Sequence, residues 1–218
     1  MEGLNKERRK DDMEVLHIKD GVTFALVDSH SELLRQAKVL RHDVYVACGF
    51  IEPIETRTIE DKKDDECHYL VALTEDGQVI GTIRLGGPPF KVLETLDHDH
   101  IEVYPDQKEL IEDAISAKSY ELGALAVRPR IKTERMHISG GLYKAAHLYG
   151  EKNGVDYWLL DVDKLVFESI KKLGWDIIQI APEHPYMGSV TIPAAIKARG
   201  QLDHIKKVNP DYYDYMMS

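Results

Sequence analysis

The chain has 218 residues, 43% hydrophobic and 30% charged, with a formal net charge of −10. That composition fits a globular domain with a substantial core, and the acidic balance argues against nucleic acid, whose phosphates need a basic face. No apolar run approaches a membrane span, the opening MEGLNKERRKDDMEV lacks the apolar region of a secretory signal, and two cysteines, Cys48 and Cys67, make neither a disulfide framework nor a metal-ligand spacing. A reducing cytoplasm is the expected compartment.

Residues 1–14 are charged and aperiodic and read as a flexible arm, with residues 15–218 expected to form a single domain. Residues 21–27 read as a first strand. Ser29 and Glu32 have the spacing of a capping box, ahead of a helix with Leu33, Ala37, Leu40 and Val44 on one face that stops near Gly49. The acidic segment 51–66 reads as a loop. Two strands, 67–73 and 78–85, flank an Asp-Gly turn and predict a hairpin. Residues 90–118 read as a long connection with helical character only around 107–117. Within it, Asp97, His98, Asp99 and His100 alternate as a solvated surface would, and no metal is expected.

Residues 120–127 have the length and composition of a buried strand. The basic, proline-containing turn 128–135 follows, and Ser139-Gly140-Gly141 opens a helical pattern that Asn153-Gly154 closes. A strand, a glycine-containing turn and a helix N-terminus together make an anion site, and Arg128, Arg130, Lys132 and Arg135 add positive charge to it. A phosphate-bearing ligand and a plain basic loop both remain open. Strand 155–162, a short helix ending at Gly174, strand 175–180, a weaker strand 189–193 and a helical, aromatic tail complete the chain. Strands interleaved with helices imply an α/β (α+β) layer fold with a mixed sheet.

This order resembles the Gcn5-related N-acyltransferase (GNAT) fold, with a mostly antiparallel central sheet and helices on both faces. Residues 165–175, LVFESIKKLGW, look like that superfamily's signature near its fifth strand. Its usual phosphate loop, Arg/Gln-x-x-Gly-x-Gly/Ala, is replaced by the looser 135–141. Leu40-Arg41-His42-Asp43-Val44-Tyr45, the acidic Glu60-Asp61 with Asp64 or Asp65, Gly81-Thr82-Ile83-Arg84-Leu85, and Glu121 ahead of Leu125-Ala126-Val127 form a series. It resembles the acyl-homoserine-lactone (autoinducer) synthases and, more closely, the N-acyl amino acid synthases, as does the close at 185–193. The autoinducer synthases carry an arginine where this chain has Ala124, which favours simple amide formation over lactone formation.

The resemblance implies an N-acyltransferase moving a medium or long acyl chain from acyl carrier protein or an acyl-coenzyme A co-substrate to the amine of an amino acid or similar small molecule. A short-chain acetyl-coenzyme A enzyme and a non-catalytic acyl-thioester-binding module are the alternatives. Amide formation needs a base, and Glu121 in an apolar strand has the environment that raises a carboxylate's pKa, although an edge position would leave it ordinary. Arg84 either anchors a substrate carboxylate or fixes the acidic loop. Arg41, Tyr45, Asp61 and Asp64 are the substrate-binding candidates. Leu125, Ala126, Val127, Arg128, Arg130, Arg135, Ser139, Gly140 and Gly141 are the donor-binding ones. The basic turn would also meet an acidic carrier protein. Cys67 reads as a core cysteine.

Overall fold

The structure, a computed structural model, describes residues 13–27, 31–59, 61, 64–128 and 132–218, with their side chains except at 65 and 132–136. Residues 1–12 of the expected arm, Ser29 and Arg130 lie outside that range, as do the side chains of Asp65 and Arg135. The elements are mixed α/β with mostly antiparallel strand pairing, and they gather into two compact units. Residues 1–86 and 124–149 make the first, and residues 87–123 and 150–218 the second.

The first unit begins with β1 (Met13–Lys19), which takes the last two residues of the expected arm and pairs antiparallel with β2 (Val22–Val27). A turn with Asp20 and Gly21 both at positive φ joins them, the geometry a tight hairpin requires. Helix α1 (Glu32–Ala47) is capped by Ser31, whose Oγ accepts the Leu33 N–H at 3.1 Å. The cap is thus two residues beyond the expected Ser29, because the Ser31 hydroxyl reaches an otherwise orphaned amide. Gly49, at φ 73°, ends the helix region as expected. The predicted hairpin is β3 (His68–Leu73) and β4 (Val79–Gly86).

Alternation along these strands sends their side chains to opposite faces. Ala25, Val27, Tyr69, Val71 and Leu73 pack with Leu34, Ala37, Leu40 and Val44 of α1, and Cys67 lies buried in the same core. On the other face Phe24 meets α4 (Lys132–Asn153). This helix overturns one expectation. It starts at Lys132, so Ser139, Gly140 and Gly141 lie about two turns inside it, where backbone N–H groups are spent on the helix itself. Gly141 is there for packing. A methyl on it would run into the Phe24 ring, which stacks on His17 with ring centroids 4.3 Å apart. His17 Nε2 donates to the Gly141 carbonyl at 2.9 Å.

The second unit is organised on β9 (Ser189–Lys197), longer than the sequence suggested. It pairs antiparallel with β6 (Tyr157–Asp163), β7 (Ile177–Gln179) and β8 (His184–Tyr186). The Ser119–Leu122 portion of β5 (Ser119–Val127) lies parallel to β6. One face carries Leu159 and Ala195 and is covered by α2 (Lys91–His98) and α3 (Lys108–Ser116), through Phe90, Val92, Leu96, Ile111 and Ala114. Helix α2 was not legible in the sequence, and α3 corresponds to the expected 107–117. Helix α5 (Lys164–Lys172), with Phe167 and Ile170 buried, packs on β6, β7 and β9. Helices α6 (Gln201–Val208) and α7 (Pro210–Met217) absorb the aromatic tail, burying Tyr212 and Met216.

Replacing Gly141 with alanine should destabilise the protein by about 1–3 kcal/mol, the cost of overpacking a filled core, measured by urea unfolding. A Phe24→Leu background should recover part of that loss. A donor-binding role for Gly141 alone would leave stability unchanged.

Candidate active site

Two clusters of buried polar groups stand out, one in each unit. In the first, Asp64 is 1% exposed. Its Oδ1 accepts the Tyr69 hydroxyl at 2.6 Å and the Arg84 guanidinium at 3.1 Å. Its Oδ2 accepts the Asp61 N–H at 3.1 Å and faces Arg41 at 3.4 Å and Lys38 at 3.3 Å. Arg84 also donates to Asp61 at 2.9 Å, and Arg41 to the Ile59 carbonyl.

Burial pushes the Asp64 carboxyl up, but the Tyr69 hydroxyl and the Arg41 charge outweigh it and hold the group below the usual carboxylate range. Burial, helped by the Asp64 carboxylate and opposed by the Arg41 charge, pushes the Tyr69 phenol up. The acidic segment is therefore pinned from within. His42 adds a second tie, its Nε2 accepting the Ile54 N–H at 3.0 Å. Of the carboxylates that the sequence left ambiguous, Asp64 takes the Tyr69, Arg41 and Lys38 contacts and shares Arg84 with Asp61.

Arg84 is 6% exposed, and its guanidinium is engaged by Asp61 and Asp64, the contacts of a group fixing the acidic loop. Arg41, 3% exposed, belongs to the same network. Tyr45, one turn further along α1, packs half-buried against the first core with its ring edge-on to Phe50 at 5.6 Å. The donor candidates divide. Leu125 is half-buried, Ala126 and Val127 are buried, and Arg128 continues the strand with its N–H on the Ile80 carbonyl at 2.9 Å.

The second cluster holds Glu121, 6% exposed, whose Oε2 accepts the Val92 N–H at 2.8 Å. Its own strand puts it in an apolar setting: Glu121 is opposite Leu159, which is opposite Ala195. Asp161 is two residues beyond Leu159 and so faces the same side. His184, buried on β8, brings Nε2 to 3.7 Å from Asp161 Oδ2. Burial pushes the Asp161 carboxyl up to about 6, the Glu121 charge adds to that, and His184 opposes it.

The sequence named Glu121 and missed its companions. Asp161 carries the signal that found Glu121, a lone carboxylate in an apolar run. His184 sits in a polar stretch with no periodicity to mark it. Three residues after Glu121, past the last residue paired with β6, Ala124 adopts φ 53°, a left-handed conformation that costs a residue with a Cβ. Among the described residues no group of His, Cys, Asp and Glu side chains could hold a metal ion, and no helix is long and apolar enough to cross a membrane.

A family model described as N-acyl amino acid synthase FeeM matches residues 36–196, a span that includes both clusters. Among solved structures, the acyl-homoserine-lactone synthase LasI is similar with a TM-score of 0.67 at 16% identity, over 87% of this chain and 94% of that one. FeeM, an N-acyl amino acid synthase from uncultured soil microbes, is similar with a TM-score of 0.61 at 13% identity, over 84% and 94%. BjaI, a coenzyme A-dependent acyl-homoserine-lactone synthase solved with SAM and isopentyl-CoA, gives 0.58 at 16% identity, over 84% and 86%. At such identities these structures show the shared fold. No curated protein matches the chain.

Asp64→Asn should cost about 3–5 kcal/mol, since it leaves buried guanidinium groups without their carboxylate. Because the Asp64 pKa is depressed by folding, its contribution is full above the ordinary carboxylate range and is lost as pH falls through the folded value. Thermal unfolding followed from pH 7 to pH 3 should show a steeper acid loss in the wild type than in the Asn variant.

Proposed function

The chain belongs to the N-acyl amino acid synthase FeeM family of acyltransferases, and from that premise we propose that it transfers a medium or long acyl chain from a thioester to the amine of an amino acid or a similar small molecule. The observation that carries the reading is Glu121: a carboxylate buried among apolar side chains and oriented by the Val92 N–H at 2.8 Å. A fixed orientation aims the carboxylate at one position.

In the reaction, Glu121 takes a proton from the amine. The nitrogen electron pair bonds to the thioester carbonyl carbon, the carbon–sulfur bond breaks, and the leaving sulfur takes up the proton that Glu121 removed, which releases a thiol and restores the carboxylate. Arg84, Arg41, Asp61 and Asp64 act by fixing the acidic segment in its working shape, not by chemistry on the substrate. The donor phosphate is assigned to the basic turn and the start of α4, where the helix dipole favours an anion. Acyl carrier protein and coenzyme A thioesters both satisfy that assignment. The Ala124 position favours an amide product, because no guanidinium stands there to meet a second substrate anion.

The test is thiol release and mass spectrometry of products, using acyl-carrier-protein and coenzyme A thioesters of graded chain length against a panel of amino acids. A long-chain N-acyl product supports the reading, and activity confined to acetyl-coenzyme A overturns its donor class. Glu121→Gln should lower kcat by about 10²–10⁴-fold, the usual contribution of a general base, while donor binding by calorimetry persists. Unchanged turnover would remove Glu121 from the mechanism.

A further inference from the structure

His184 is 6% exposed, yet neither of its ring nitrogens has a hydrogen-bond partner, and Asp161 Oδ1 is likewise without one. Buried polar atoms are ordinarily satisfied, so two such groups side by side mark a place where the fold accepts a cost. Their position is set by strand register. Glu121 pairs with Leu159, Leu159 with Ala195, Asp161 with Pro193, and Thr191 with both Asp163 and His184. Residues two apart on a strand share a face. Glu121, Asp161 and His184 therefore project from the same side of the second unit's strands, the side that α2 and α3 cover.

The charged and titratable groups acting on Asp161 come from each surrounding element: Glu121 from β5, His184 from β8, Lys91 at the start of α2 and Asp99 just past its end. The facing positions of β9 (Thr191, Pro193 and Ala195) carry no titratable group.

We propose that Asp161 and His184 are positioning residues acting through Glu121, a charge pair that fixes the electrostatic field under which the base works. The inference rests on the role assigned to Glu121 above. Ionised Asp161 is a like charge beside Glu121 and makes it hold a proton more firmly, which strengthens it as a base. His184 opposes the upward push on the Asp161 carboxyl, and neither of its ring nitrogens is held by a hydrogen bond to the protein.

The experiment is a carboxyl ¹³C NMR titration of Asp161 in the full chain, joined to pH profiles of kcat/KM. In the wild type the Asp161 signal should titrate near 6, where burial and Glu121 place it. Removing the like charge with Glu121→Gln should lower that midpoint by about one pH unit, and His184→Gln should raise it. In turnover, Asp161→Asn should move the acidic limb to lower pH and His184→Gln to higher pH, opposite shifts that lost stability alone would not produce. A midpoint in the ordinary aspartate range, or one unmoved by Glu121→Gln, overturns the inference even if Asp161→Asn fails to fold. Turnover lost in Glu121→Gln with the Asp161 titration unmoved sinks this inference alone. Turnover unchanged in Glu121→Gln removes the base, and the role of the pair with it.

Discussion

One carboxylate holds the first unit's working shape. Asp64 gathers a phenol, two guanidiniums, an ammonium and a backbone amide around two oxygens, in a place where water cannot substitute for any of them. The partners come from α1, the acidic segment, β3 and β4, elements far apart in sequence, so the cluster ties the chain across 46 residues from Lys38 to Arg84. A buried charge of this kind is a poor source of net stability compared with an apolar core. Once present, however, every partner depends on it, because removing one leaves the others desolvated and unpaired.

The contrast with the second unit shows how one chemical group serves two ends. Asp64 sits among cations and a hydroxyl donor, which hold it charged. Asp161 sits near another carboxylate with few donors, and burial drives its proton affinity the other way. The first arrangement gives a rigid scaffold, indifferent to pH over the neutral range. The second leaves a carboxyl that burial pushes up to about 6.

Close packing supplies the third constraint. Gly141 and Gly81 are both places where a side chain would strike a neighbour, Phe24 in one case and Ile138 and Leu142 in the other. These contacts seat α4 directly on the strands of the first unit. Gly141, which looked like part of a phosphate loop, leaves room for the Phe24 ring against the helix, and the helix N-terminus lies about two turns upstream, at Lys132.

Much of this was written in the local pattern of the chain. Alternation and turn chemistry determined the 68–86 hairpin, apolar spacing determined α1, and the lone charge in an apolar run determined that Glu121 is unusual. These features depend only on neighbours a few residues away. Tertiary structure decided the rest, because the physical cause lies elsewhere in the chain. Helix α2 escaped notice because its stability comes from burying Val92 and Leu96 against Leu159 and Ala195. Whether Ser139–Gly141 opens a helix or packs inside one depends on Phe24, more than a hundred residues earlier. The contacts of the Arg84 guanidinium with Asp61 and Asp64 come from the fold and not from its neighbours in sequence. His184 carries no local signal at all; only the strand register brings it to Asp161, on the face that carries Glu121.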